Sequence, residues 1–319
     1  FYGDASRWQS QSEGLTKLKT ILVKPMNQPF YIVDVFAETK YAGNQLAVFP
    51  QAKDLSTFEM QQIAKEINFS ETTFITSLQP EAGGYAVRIF TPVQELPFAG
   101  HPTLGTAFVL QQKVIQQAVE TVILNLAVGQ IPVQILYENG LPNLLWMKQN
   151  SPVFGEKVSP DAIALTLGLE LTDIDSRFPI QEVSTGVPFI IVPLKTLAAL
   201  QRIQVKRDRL PALLDPLEAK MIFVFCPEVR HPVNHFSARM FAHYLGIPED
   251  PATGSANGCF AGYLAQYEYL GTPTVAARVE QGYEIGRPSL ILLKAEKTEI
   301  RIDVAVGGRV ILVAHGEFV

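Results

Sequence analysis

Two carboxylates, a histidine and a serine stand where polar turns give way to apolar segments. Glu71 begins the strand-like run in NFSETTFIT, and His101 follows a glycine in FAGHPTLG. Asp250 precedes PATGSANG, which contains Ser255. A histidine together with carboxylates can carry out general acid–base catalysis, in which a side chain moves a proton on or off the substrate. Each residue also has a structural interpretation: Asp250 as a helix cap, His101 as a buried structural residue and Glu71 as an ordinary carboxylate.

Other chemistries have little support in the sequence. It has no G-x-S-x-G nucleophile motif, no P-loop, and no G-x-G-x-x-G between a strand and a helix. Its cysteines and histidines lack the spacing of a zinc site, and His231 and His235 have no evident third ligand. We therefore expect proton transfer without a metal.

The segments around His101 and Ser255 resemble each other. Residues 95–110 and 249–264 share five aligned identities: Glu95/Glu249, Pro97/Pro251, Gly100/Gly254, Ala107/Ala261 and Leu110/Leu264. Further landmarks follow in the same order: RIF at 88–90 and RMF at 239–241, GNQLAVF at 43–49 and GVPFIIV at 186–192, and Gly129 and Gly286. Ordered similarity of this kind predicts an internal duplication rather than a chance match of turns.

Each repeat contains a segment that is expected to form a buried helix. Residues 96–112 and 251–267 contain no Asp, Glu, Lys or Arg. A helix that is apolar on all sides must be enclosed by its own sheet. Its first N–H groups are free, and Gly100 or Gly254 would allow a ligand close to the backbone. If both helix starts face one cleft, they form a site for a small carboxylate. The alternative is that each glycine only permits a tight turn.

The remaining pattern predicts an α+β fold. Many short β-rich runs with few helices between them favour mainly antiparallel sheet. Residues 54–69 predict a surface helix with Asp54 as the N-cap and Leu55, Phe58, Ile63 and Ile67 on its apolar face. A second surface helix is predicted at 159–168, with Ser159 as the N-cap, Pro160 first in the helix and Gly168 ending it.

Composition narrows the class of protein. The chain has 319 residues, 47% hydrophobic, with a formal net charge of -5. This length most often means two domains, and the charge argues against nucleic-acid binding. Two cysteines indicate a reducing compartment, and a cytoplasmic location is expected. Because the long uncharged segments contain Pro and Gly and are short for a span, no membrane insertion is expected. Residues 1–28 are interpreted as a leader outside the fold.

Five segments together resemble the phenazine-biosynthesis PhzF-like family. They are DVFAETKYAGNQLAVF, AKEINFSETTFI, RIFTPVQELPFAGHPTLGTA, RMFAHYLGIPEDPATGSANG and QGYEIGRPSL. The resemblance implies the diaminopimelate-epimerase-like fold, with two similar domains, each a β-barrel or roll around a central helix. The domains are predicted at 29–141 plus 308–319 and at 142–307, with the active site between them. A homodimer is also implied.

The resemblance also implies a reaction and roles for residues. The reaction is isomerisation of trans-2,3-dihydro-3-hydroxyanthranilate, a small carboxylate, without cofactor or metal. Glu71 would take the proton from C3 and the proton would return at C1, with His101 and Asp250 as polar partners. The residues expected to hold the substrate are Gly100, Gly254 and Ser255. Burial in a closed cleft would have to raise the pKa of Glu71 for this role.

Two alternatives to this isomerase remain open. Racemases and epimerases of this fold use a cysteine at each helix start, whereas the corresponding residues here are Ala99 and Thr253, and Cys259 lies inside the helix as a small hydrophobe. A carboxylate-binding protein without catalysis is the other alternative, although it would not need the whole set of polar residues. Within the family motifs, Gln45 replaces a usual proline, with only a local effect expected. Residues 226–241 are a variable segment that could line the pocket differently.

Overall fold

A computed structural model describes residues 27–319, which form a mixed α/β fold with extensive sheet and few helices. The predicted leader at 1–28 lies almost wholly outside these residues. The first strands and helices are β1 (Gln28–Val35), β2 (Asn44–Phe49), α1 (Thr57–Ile67), β3 (Glu71–Ile75), β4 (Tyr85–Phe90), β5 (Glu95–Leu96), α2 (Gly100–Val109), β6 (Thr121–Leu126), β7 (Gly129–Glu138) and β8 (Leu141–Gln149). We call residues 28–149 the first half.

The second half, residues 153–308, is followed by one more strand. Its elements are β9 (Val153–Lys157), α3 (Pro160–Leu167), β10 (Gln181–Ser184), β11 (Pro188–Pro193), α4 (Leu197–Gln201), α5 (Leu210–Leu214), β12 (Ile222–Cys226), β13 (Phe236–Ala242), β14 (Ile247–Asp250), α6 (Gly254–Gln266), β15 (Thr274–Gln281), β16 (Ser289–Lys297) and β17 (Ile302–Gly308). The final strand is β18 (Val310–Phe318), which pairs with β1.

Strand pairing repeats between the halves. In the first half, β3 pairs with β2 in parallel and with β4 antiparallel, and β4 pairs with β5 antiparallel and with β6 in parallel. The second half repeats this order with β11, β12, β13, β14 and β15. Antiparallel β6–β7–β8 and β15–β16–β17 complete the two series. The repeat predicted from the sequence is therefore present in the pairing, whereas the two-domain boundaries stay a prediction.

The two uncharged segments form the central helices α2 and α6. All ten residues of α2 are buried, and α6 is buried except at Ser255 and Gln266. Helix α2 packs against β1, β2 and β8, while α6 packs against β11, β16 and β17. At Gly105 of α2 an added Cβ would lie 2.6 Å from Leu46 Cδ2, so the glycine allows the helix and strand to approach. Both predicted apolar helices are thus enclosed by sheet.

The predicted surface helices exist, but one of them begins elsewhere than expected. Helix α1 starts after Ser56, not Asp54, because Ser56 and Glu59 form a reciprocal capping box. Phe58, predicted to lie on the apolar face, is 71% exposed, and the buried face contains Met60, Ile63 and Ala64. Helix α3 has the predicted bounds, with Gly168 ending it in the left-handed region; Ser159 stands at the N-cap position, but within the described residues its side chain makes no capping bond.

One ion pair occurs at the same place in both repeats. Arg88 of β4 donates from Nε and Nη2 to Glu95 of β5, at 2.7 and 2.6 Å. Arg239 of β13 donates in the same two-pronged way to Glu249 of β14, at 2.9 and 2.7 Å. Bidentate geometry fixes orientation as well as distance. In each repeat, the pair therefore joins the two strands that precede the central helix: β4 and β5 before α2, and β13 and β14 before α6.

Candidate active site

Glu71 and His101 meet at the start of helix α2. Glu71 is the first residue of β3, where it pairs with Leu46 of β2, and His101 lies in the first turn of the helix. Glu71 Oε2 is 3.4 Å from His101 Nε2, and the two side chains are 16% and 6% exposed. Within residues 27–319 neither of these two atoms has a hydrogen-bond partner. Buried polar atoms without partners are uncommon, and a catalytic role is one explanation for them.

The surroundings shift the acid–base behaviour of both groups. Burial, followed by the negative charge of Asp250, raises the pKa of Glu71 from 4.5 to about 8. Burial lowers the pKa of His101 to about 3, against an opposing hydrogen bond with the Gln45 backbone. His101 is therefore a neutral imidazole. Since Nε2 has no partner, we assign the ring proton to Nδ1, facing Gln45, which leaves the Nε2 lone pair directed at Glu71.

The contact with Gln45 bears on the expected effect of that residue. The hydrogen bond uses the backbone of Gln45 rather than its side chain. A proline at this position would present the same carbonyl group. The replacement of the usual proline by Gln45 therefore need not alter this hydrogen bond, which agrees with the expectation of a local effect only.

The starts of helices α2 and α6 touch each other. A Cβ added to Gly100 would lie 3.1 Å from the backbone nitrogen of Ser255 and 3.3 Å from Gly254 Cα. The N-cap residues are Ala99 and Thr253, and in the described chain neither supplies a side-chain cap. Two helix N-termini with free N–H groups therefore converge, as predicted, and their dipoles favour an anion between them.

Asp250 lies beside this junction and is 7% exposed. It accepts hydrogen bonds from Asn44 Nδ2 at 2.9 Å and from the Thr253 hydroxyl. Asn44 also donates to the Ala252 carbonyl at 3.0 Å. Burial raises the pKa of Asp250, while the two hydrogen bonds lower it. Asn44 belongs to the first half and Asp250 to the second, so this contact joins the two halves at the site.

The structure brings the six predicted site residues into one region. Glu71 and His101 meet directly, and the charge of Asp250 acts on Glu71. The backbones of Gly100, Gly254 and Ser255 lie together at the helix starts. Two further residues at the site, Asn44 and Gln281, are not identified by the sequence; Asn44 donates to Asp250 and Gln281 contacts Thr253. The only sequence feature that these two residues share is an amide side chain next to a glycine, which is too common to identify a site.

The described residues offer neither a metal cluster nor a reactive cysteine. Among residues 27–319, no group of three His, Cys, Asp or Glu side chains is placed to hold a metal ion. Cys226 and Cys259 are both free and buried. Burial raises the pKa of each thiol to about 12, so both are inert neutral thiols. Within the described residues, none of the helices has the length and hydropathy needed to cross a bilayer.

Comparison with solved structures first defines the class of fold. The chain is similar to a probable proline racemase from Agrobacterium radiobacter, with a TM-score of 0.60 over 92% of this chain and 93% of that one. The two sequences are only 10% identical, so this similarity concerns the fold alone. The predicted epimerase-like class of fold is confirmed at this level.

The family is narrower than the fold. The family described as phenazine biosynthesis-like protein matches residues 33–316, and this chain belongs to it. A PhzF-family protein from Bacillus anthracis has a TM-score of 0.84 and 29% identity, covering 92% of this chain and 99% of that one. The trans-2,3-dihydro-3-hydroxyanthranilate isomerase of Pseudomonas aeruginosa is 35% identical over 90% of this chain and 98% of its own. The predictions of the family and of an isomerase are confirmed by these relatives.

Proposed function

We propose that this protein is an isomerase of a small carboxylate, acting by proton transfer through Glu71, with trans-2,3-dihydro-3-hydroxyanthranilate as the first candidate substrate. The main support is the Glu71–His101 contact, 3.4 Å long and buried. A carboxyl group whose pKa is raised to about 8 can both accept and return a proton near neutral pH. An ordinary glutamate is too weak a base to do both.

The other site residues have complementary roles in this proposal. The N–H groups at the starts of α2 and α6, from Gly100, Gly254 and Ser255, bind the substrate carboxylate. His101 is neutral, and its free Nε2 keeps the Glu71 proton oriented. Asp250 binds a polar group of the substrate on the second-half side. No metal or cofactor is needed, because Glu71 supplies the base and the helix ends stabilise the anion.

The repeat indicates that the site has a single base of this kind. Ala47 pairs with Thr72 in the first half, and Ile190 pairs with Ile222 at the equivalent place in the second. Glu71 precedes Thr72, and Met221 precedes Ile222. The second half therefore has a methionine where the first half has Glu71. A thioether cannot take a proton from carbon. This favours removal and return of the proton by one carboxylate over a racemase with a base on each face of the substrate.

The helix starts give a second reason to prefer an isomerase. The N-cap residues Ala99 and Thr253 replace the two cysteines of the racemase alternative. Neither side chain is a base at neutral pH. The arrangement of two domains around this site and a homodimeric assembly remain part of the proposal, and light scattering of the purified protein tests the assembly.

The test is NMR of trans-2,3-dihydro-3-hydroxyanthranilate in D₂O with three proteins: the wild type, Glu71→Gln, and Glu66→Gln as a control. Glu66 is an exposed glutamate on α1. We expect the wild type and Glu66→Gln to consume the compound. Deuterium should appear at C1 to the extent that the Glu71 proton exchanges with D₂O before it is returned. With Glu71→Gln the rate should be at least about 10³-fold lower.

Other outcomes have distinct meanings. Undiminished turnover by Glu71→Gln would remove Glu71 from the role of base. Thermal stabilisation of the wild type by the compound without turnover would retain the carboxylate site but exclude this substrate, and would favour a binding protein if other small acids also leave their protons unexchanged.

A further inference from the structure

Thr253 occupies a helix-capping position but does not cap its helix. Within the described residues its side chain makes no capping bond to α6, and its ψ angle is 94°. Thr196 is a useful comparison, because it precedes α4 with ψ 153° and accepts a hydrogen bond from the Ala199 N–H at 3.1 Å. Threonine ordinarily takes this second arrangement. The Thr253 hydroxyl is instead directed to the carboxylate of Asp250.

Gln281 holds Thr253 in this orientation. Its Nε2 donates to the Thr253 hydroxyl oxygen at 3.2 Å and to the Asp250 carbonyl at 2.9 Å. Its Oε1 accepts from the Thr253 N–H at 3.4 Å and from Asn257 Nδ2 at 2.9 Å. Gln281 is 1% exposed and Asn257 is fully buried. A buried amide whose donors and acceptors are all engaged fixes its partners, since breaking any bond leaves a buried polar group unpaired.

We propose that Thr253 and Gln281 are positioning residues that orient the Asp250 carboxylate beside Glu71 and stabilise its ionised form. The hydroxyl donates to Asp250 because Gln281 occupies its lone pair and fixes its backbone. The inference rests on the proposed function for the role of Asp250 in the reaction. Its physical content, the ionisation of Asp250 in the free protein, is independent of any substrate.

The charges around Asp250 determine what the loss of this hydroxyl would do. Burial and the neighbouring Glu249 raise the pKa of Asp250, and the bonds from Thr253 and Asn44 oppose them. Glu249 is itself paired with Arg239, and His101 is in contact with Glu71. Without the hydroxyl, Asp250 would be protonated at a higher pH. Because its negative charge contributes to the raised pKa of Glu71, that pKa would then fall.

The experiment is a ¹³C NMR titration of the side-chain carboxyl groups in the ligand-free protein. The Glu71 and Asp250 signals are assigned by their loss in Glu71→Gln and Asp250→Asn. In Thr253→Val and Gln281→Met we expect the Asp250 midpoint to rise by about one pH unit or more, and the Glu71 midpoint to fall to the extent that Asp250 has then lost its charge. Thr253→Ser keeps the hydroxyl and should restore both midpoints. Thr253→Ala makes the same test if the valine variant does not fold.

Thr196→Val is the matched control, because it removes a capping hydroxyl away from the site. It should reduce stability without moving either midpoint. Unchanged midpoints in Thr253→Val and Thr253→Ala, or equal shifts in Thr196→Val, would overturn the inference. A failed substrate assay leaves these titrations unaffected, so failure of the proposed function is distinguishable. If turnover is found, the pH at which kcat rises should move with the Glu71 midpoint in the same variants.

Discussion

Arg287 of the second half donates from Nη2 to Asp34 Oδ1 of the first half at 2.6 Å. The same guanidinium also donates to the carbonyls of Ala42 and Gly43, at 2.6 and 2.9 Å. These carbonyls immediately precede Asn44, which donates to Asp250. One arginine therefore fixes the turn that brings Asn44 to the site across the junction of the halves.

We expect Arg287→Met to lower the free energy of unfolding by about 3–5 kcal/mol, because Asp34, 2% exposed, would lose its charged partner. Urea unfolding followed by circular dichroism measures this change. Arg301→Met is the control, since Arg301 and its partner Asp303 are 60% and 54% exposed and their pair should contribute less than about 1 kcal/mol. Similar losses in the two variants would show that the Arg287 contacts do not hold the halves together.

The buried Glu71 should make stability depend on pH in a predictable direction. Its pKa is about 8 in the folded protein and 4.5 as the ordinary value, so the folded state binds the proton more tightly. The contribution of Glu71 to the free energy of unfolding is fully present below about pH 4.5 and is lost as the pH rises to about 8. We expect Glu71→Gln to match the wild type at pH 4.5 and to be more stable at pH 8, by on the order of 4 kcal/mol at most. A wild-type advantage at pH 8 in urea titrations would contradict the raised pKa.

The repeated Arg–Glu pair offers a comparison within one molecule. Arg239 and Glu249 are 10% and 8% exposed, whereas Arg88 and Glu95 are 30% and 41% exposed. Removing one partner of a buried pair leaves an unpaired charge, so Arg239→Met should cost about 3–5 kcal/mol. Arg88→Met should cost about 1 kcal/mol or less. Denaturant unfolding measures both, and equal costs would show that burial does not decide the strength of this pair.

The contact of the two helix starts predicts a specific effect of one methyl group. Gly100→Ala would place a Cβ 3.1 Å from the Ser255 nitrogen, which is rigid backbone. We expect the helix starts to be forced apart, with a loss of about 1–3 kcal/mol and weaker stabilisation by small carboxylates in thermal unfolding.

Gly258→Ala in α6 serves as the matched control for this variant. Its Cβ would be 3.0 Å from side-chain atoms of Gln149 rather than from backbone, and alanine is the better helix former by about 1 kcal/mol. It should fold with near wild-type stability and bind carboxylates normally. Normal carboxylate binding by Gly100→Ala would show that the ligand does not use the junction.

Local patterns were sufficient to predict the central helices and the residues at their starts. The uncharged segments and their glycines identify Gly100 and Gly254 without any knowledge of tertiary structure. The bounds of helix α3 were predicted well because Pro160 and Gly168 act within the chain segment itself. The error at Asp54 was also local, since the reciprocal bonds between Ser56 and Glu59 were overlooked.

The parts that could not be predicted depend on distant residues. Glu71 was a candidate from the sequence, but its role as the base came only from the family resemblance, because its raised pKa comes from burial and from Asp250, far away in the sequence. Asn44 and Asp250 are 206 positions apart, and Arg287 and Asp34 are 253 apart. Asparagine, arginine and aspartate carry no local signal of such partners. Their pairing follows only from how the two repeats are placed against each other.

Strand β18 has a consequence for the order in which the protein can fold during synthesis. It pairs with β1 along eight positions, from Gln28↔Phe318 to Val35↔Val310, yet it follows the whole second half along the chain. While the ribosome is still translating that half, β1 has an unpaired edge, which is a surface for pairing with other chains. The first half therefore cannot close until β18 leaves the ribosome. Until β18 is made, the edge of β1 is the surface that a chaperone would have to protect.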